Sequence, residues 1–219
     1  MRNYFRIFVY LIALLSVSFA RAGSYEDFFR AIRQDDVRTI TALLQRGFDP
    51  NALDPAKVHG LFIAVREGSL KAAEALIAWP KTNVEWRSPK DESPLMMAAI
   101  KGQVEIVRKL IARDADVNKT GWAPLHYAAT GGNLEILQIL LDENAYIDAE
   151  SPNKSTPLMM AAKYGSPAAV KLLLEAGADP RLRNELGLSA VDFAQQGNRR
   201  DSAELIAAAI RAAHPKGKW

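Results

Sequence analysis

The sequence holds no cysteine among its 219 residues. That excludes a disulfide framework, thiol chemistry and a lipid-modified cysteine, and it leaves nothing to mispair in an oxidising compartment. Histidine is scarce too: His59, His126 and His214 stand far apart, with no two at metal-ligand spacing. Glycine-rich phosphate loops and a nucleophile elbow are absent, and pairs such as Asp35-Asp36 and Asp91-Glu92 fall on turn sequences. These absences point away from catalysis, metals and cofactors. Charge of one sign is also missing. The total of 28 basic against 25 acidic residues includes Arg2, Arg6 and Arg21 in a leader with no acid, so the remainder balances. Nucleic-acid binding needs a basic footprint, and only the stretch from Arg211 to Lys218 is locally basic.

A long apolar run is lacking as well. Ile7 to Ala20 is apolar, preceded by Arg2 and Arg6, and runs into Ala20-Arg21-Ala22. A spanning helix needs about 20 residues, whereas this pattern fits a signal peptide over 1–22 cleaved before Gly23. Export to the periplasm is the expectation, and an uncleaved inner-membrane anchor the alternative. The arginines are separated, so a twin-arginine signal is not indicated.

What the chain has is repetition. Ser155-Thr156-Pro157-Leu158-Met159-Met160-Ala161-Ala162 reads as a helix start, with Thr156 as N-cap, Pro157 at the first helical position and Gly165 as the stop. Pro94-Leu95 with Ala98 and Pro124-Leu125 with Ala128 copy it, and weaker copies begin at 27, 60 and 190. The starts at 27, 60, 94, 124, 157 and 190 lie 33, 34, 30, 33 and 33 residues apart. Second helices recur as well, ending at Gly47, Asp114, Asn144 and Gly177, residues suited to left-handed backbone.

With this period and these motifs the chain resembles ankyrin-repeat proteins over residues 24–213. The Thr-Pro-Leu-His tetrad of that family is nowhere complete, since Ala123 precedes Pro124-Leu125-His126. The expected fold is all-α, a solenoid of six helix–turn–helix repeats with finger loops, near 27–59, 60–93, 94–123, 124–156, 157–189 and 190–213. Ser24 and Asp27 read as a capping box for the first helix, and 214–219 as a flexible tail. An extra residue near Ala78-Trp79-Pro80-Lys81 should bulge repeat two.

The resemblance implies a monomeric module that binds another protein on a concave side of fingers and first helices. Carried over position by position, the candidate contact residues are Arg66, Glu67, Glu92, Ile100, Lys101, Trp122, Tyr127, Lys163 and Tyr164. The centre stands out because the finger from Asn118 to Pro124 is three residues shorter than the one from Asp148 to Pro157. The small floor Thr130-Gly131-Gly132 beside it reads as a shallow pit, walled by Trp122 and Tyr127. Trp122 is expected to be an exposed anchor. The stripe Ile63, Met97, Tyr127, Met160 and Phe193 is expected to be core, and Met96 and Met159 gap fillers. Trp79 and Trp86 should fill space near the insertion, and His126 should bond across to the next repeat. The triplets Asn118-Lys119-Thr120 and Asn153-Lys154-Ser155 read as accidental glycosylation matches. A binding scaffold is the leading reading; an inhibitor or immunity protein, or a tethered assembly factor, is the alternative.

Overall fold

Short apolar segments that each start on a cap and end on a turn cannot bury a face alone, so they fold as pairs that cover one another. The computed structural model describes residues 23–213; residues 1–22, expected as a signal peptide, and 214–219, expected as a flexible tail and holding His214, lie outside the described residues. Among the described residues there are twelve helices and no strands, only isolated bridges at Leu53–His59 and Arg183–Ser189. The chain divides into two units, with the break between Asn83 and Val84.

The first unit contains α1 (23–33), α2 (Val37–Gln45), α3 (Gly60–Glu67) and α4 (Leu70–Ala78). Helix α1 already includes Ser24, so Ser24 is not its cap, and Asp27 instead pairs with Arg30 at 2.5 Å. Phe28, Ile32, Ile40, Leu61, Ile63 and Leu76 are fully buried here. Gly60 lets α3 approach α1: a Cβ there would stand 2.9 Å from Ile32 Cδ1. The inserted residue shows as an altered exit from α4. Where other pairs leave through a left-handed residue, Trp79 is extended and a turn closes from Thr82 N–H to its carbonyl at 3.0 Å.

The second unit holds α5 (Pro94–Ile100), α6 (Val104–Ile111), α7 (Pro124–Gly131), α8 (Leu134–Asp142), α9 (Pro157–Tyr164), α10 (Pro167–Glu175), α11 (Ala190–Gln196) and α12 (Arg200–Ala213). The first helices form one row, α5–α7–α9–α11, and the second helices another, α6–α8–α10–α12. Glycine sets the spacing of the first row. Gly165 follows α9 with ordinary φ, yet a Cβ there would meet Ala129 O at 2.5 Å, and one at Gly131 would meet Ile100 O at 2.8 Å. Gly165 is therefore required by close approach between helices rather than by left-handed backbone. The second helices do exit through left-handed residues, Asp114 at φ 60°, Asn144 at 62° and Gly177 at 100°.

Candidate site on the fingers

Four fingers share one turn. A residue at the tip entry, Asp54, Ser88, Ser151 or Asn184, bonds through its backbone and its side chain to the residue four on; Ser155 N–H, for instance, donates to Ser151 Oγ at 2.9 Å. Lys57, Asp91, Lys154 and Gly187 then take left-handed backbone. In the short finger Gly121 keeps that place at φ 81°, but the preceding residues that would build the turn are the ones deleted. At each finger base a polar side chain satisfies the backbone of the next finger. Within the first unit Asn51 Oδ1 accepts from Asn83 N–H at 2.7 Å. Within the second unit Glu85 accepts from Asp116 N–H at 2.8 Å, Asn118 from Tyr146 N–H at 2.9 Å and Asp148 from Asp179 N–H at 3.2 Å. Half-burial raises the carboxyl pKa values of Glu85 and Asp148 in this ladder. Asn118 also donates to Asn144 O at 2.8 Å, so both ends of its amide are in use, which fits an accidental triplet rather than a glycan site.

The third helix position closes each capping box with different chemistry. His126 Nδ1 accepts from Ala123 N–H at 3.1 Å, while Nε2 reaches Ser155 O at 2.9 Å, across to the next repeat. Burial holds its pKa below the ordinary histidine value. At the same position Met96 Sδ accepts from Ser93 N–H at 3.3 Å, Met159 Sδ from Thr156 N–H at 3.4 Å, and Asp192 from Ser189 N–H at 2.7 Å. The methionines are thus acceptors as well as filler, a role hydrophobic patterning does not reveal.

The small floor expected beside the short finger is set by the spacing of the first helices. Gly131 stays exposed, yet a Cβ on it would stand 2.8 Å from Ile100 O, and one on Gly132 would stand 3.5 Å from Gly165 Cα, so the small residues serve close helix approach. A concavity lies on the finger side, a cleft of about 540 Å³ over the short finger. Trp122 is its aromatic surface, half-buried, with its ring edge-on to His126 at 5.3 Å. The flanking fingers supply Lys90 and Asp91 on one side and Glu150, Pro152 and Lys154 on the other. Lys119 rises from the short finger itself and pairs with Asp91. Lys90 and Lys154 are exposed, with no carboxylate partner among the described residues. Sequence reasoning missed these walls, although the deletion pointed to their position.

Of the residues anticipated from sequence, Tyr127 and Glu92 are in contact, while Trp122 packs on His126. Tyr127 O–H donates to Glu92 Oε1 at 3.4 Å, and burial, with the Glu92 charge second, pushes the phenol up to about 12. Lys163 donates to Gln196 at 3.1 Å and lies over the rings of Tyr164 and Phe193 at 5.2 and 5.7 Å. Tyr164 is 50% exposed. Ile100 is half-buried and Lys101 exposed at the end of α5. Arg66 and Glu67 sit in the first unit as a 3.4 Å ion pair, and Arg66 stacks over Phe62 at 5.9 Å. The stripe expected as core is only partly so: Ile63 and Phe193 are buried, whereas Met97, Tyr127 and Met160 stay half-exposed. Trp79 and Trp86 are half-buried.

The repeated pair, the finger turn and the finger-base ladder coincide with matches to known sequences. The profile for ankyrin repeats (3 copies) matches residues 28–120 and 61–151, and that for ankyrin repeats (many copies) matches 145–194. This chain belongs to the ankyrin-repeat family. It is 29% identical over 182 residues to an ankyrin repeat-containing protein of Treponema pallidum, covering 78% of this chain and 59% of that protein. An ankyrin repeat domain from Acinetobacter baumannii superimposes with a TM-score of 0.72 at 26% identity, over 83% of this chain and 96% of that one. A chain of the Bdellovibrio bacteriovorus complex between a predatory endopeptidase and an immunity protein also has a TM-score of 0.72 and 26% identity, over 83% and 97%. Ankyrin repeats are protein-interaction modules. No helix of the described residues is long and apolar enough to cross a membrane.

Proposed function

We propose that this ankyrin array is a non-enzymatic module exported to the periplasm, where it grips a partner protein at the finger cleft around Trp122. The cleft itself carries the reading: a half-buried tryptophan edged by unpaired lysines is the composition of an interface anchor inside a polar rim. Met97, Tyr127 and Met160 add half-exposed apolar surface in the adjoining first helices, and Tyr164 an exposed ring. Export rests on the leader pattern at 1–22. The test is capture from a periplasmic extract by the native chain, by Trp122→Ala and by Tyr164→Ala, with fold checked by circular dichroism. Loss of the same partner in Trp122→Ala supports the site; undiminished capture removes it. Mass spectrometry of the native N-terminus tests export by cleavage, since a chain beginning at Met1 favours the tethered alternative.

A narrower reading is inhibition of an exported enzyme. The resemblance to a chain in an endopeptidase–immunity protein complex favours it. Co-expression with enzymes encoded beside this gene tests it: protection of their substrates supports inhibition, and unchanged turnover with bound partner supports a scaffold.

A further inference from the structure

In the second unit each helix pair is covered by the pair that follows. Leu95, Leu125 and Leu158, one residue into the first helices, are at most 1% exposed, and Val107, Leu137 and Val170 in the second helices are fully buried. A step of 33 residues from the last of each leads to Val191 and Ala203, and both are half-exposed because no described residue packs over them. With Ala207 they floor a groove of about 830 Å³ between α11 and α12. Small side chains make that floor shallow, so another backbone can approach it closely.

The rim is charged. Arg199, Arg200 and Arg211 line the groove, and Glu204 is the only acid that does. Arg200, Ala203, Glu204, Ala207 and Arg211 recur at helical spacing and so share one face of α12. All three arginines are exposed and none has a carboxylate partner among the described residues, whereas Arg108, Arg181 and Arg183 of the same unit each pair with one. Guanidinium groups bind carboxylates by paired N–H bonds, which makes such a rim selective for acidic side chains.

We infer that this groove docks an acidic helical segment of a partner protein, its carboxylates on Arg199, Arg200 and Arg211 and its small apolar residues on Val191, Ala203 and Ala207. The inference rests on the chain being a protein-binding module, but it uses a surface separate from the Trp122 cleft. The probe is a fluorescent helical peptide of Glu, Ala and Leu, titrated into the full chain by anisotropy, with a Lys-for-Glu peptide as control. Saturable binding that weakens with salt is expected, at least about tenfold weaker in Arg200→Glu/Arg211→Glu, where charge-assisted bonds are lost. The milder Arg200→Lys/Arg211→Lys should fall between, and Trp122→Ala should bind the peptide as the native chain does. Equal binding of both peptides, no saturable binding, or an undiminished charge-reversal variant overturns the inference. So does displacement by inorganic phosphate or anionic vesicles at matched charge, or pairing of two copies of the chain through the groove in sedimentation. Failure of partner capture in Trp122→Ala with peptide binding intact would concern the finger cleft alone.

Discussion

Acid should destabilise this protein before its carboxylates titrate, through buried histidine. His59 is fully buried at the start of α3. Its Nδ1 accepts from Leu61 N–H at 3.2 Å and its Nε2 faces Asn51 Oδ1 at 3.1 Å, an arrangement that suits the neutral ring. Burial lowers its pKa from 6.5 to about 4. The unfolded chain therefore binds a proton as pH falls through 6.5 while the folded chain does not, so stability is full above 6.5 and is lost on acidification. Between pH 7.5 and 5.5 this linkage removes about 1.3 kcal/mol from His59 alone. His126, also lowered by burial, acts in the same direction. Urea denaturation followed by circular dichroism at the two pH values measures the loss. In His59→Asn, which keeps a capping acceptor without a titrating ring, the loss should shrink by about that 1.3 kcal/mol. Native protein equally stable at both pH values, or His59→Asn retaining the full pH dependence, would refute the reasoning.

Gly165→Ala should lose about 1–3 kcal/mol by overpacking, because a Cβ 2.5 Å from Ala129 O and 2.9 Å from Ala161 O can be relieved only by moving backbone of both α7 and α9. Gly177→Asn, with open space around the same Cβ but φ of 100°, should lose less; urea midpoints of the two variants decide this. His126→Met keeps an acceptor for Ala123 N–H but strands Ser155 O, so it should lose about 1–3 kcal/mol at pH 7.5, read from the same denaturation curves. Met159→Leu removes only a weak sulfur acceptor of similar shape and should lose less than His126→Met.

Much of the fold could be read from residues because it is periodic. Thr156-Pro157-Leu158 and its copies marked helix starts, and Asp114, Asn144 and Gly177 marked the left-handed exits observed. What misled was function assigned to size. Gly131 looked like an empty floor and is exposed, yet a Cβ there would stand 2.8 Å from Ile100 O, and only the helix spacing shows that constraint. Gly165, read as a helix stop, does end α9, and it is a contact point between helices as well. The deletion in the 118–123 finger was visible by counting, but the walls it exposes, Lys90 and Lys154, come from fingers 31 and 33 residues away along the chain from Gly121. Met96 and Met159 gave no sign of capping, because a thioether reads as apolar in any pattern.

The central claim is that partner binding is anchored at Trp122, on the finger side. Affinity for the captured partner should be measured by calorimetry for the native chain, for Trp122→Ala and for Arg108→Ala, which lies on the second-helix row. The account predicts a loss of about thirtyfold or more in Trp122→Ala, the size of a hot-spot truncation, with Arg108→Ala unchanged. Equal affinity of Trp122→Ala and the native chain, with the fold intact, would contradict it.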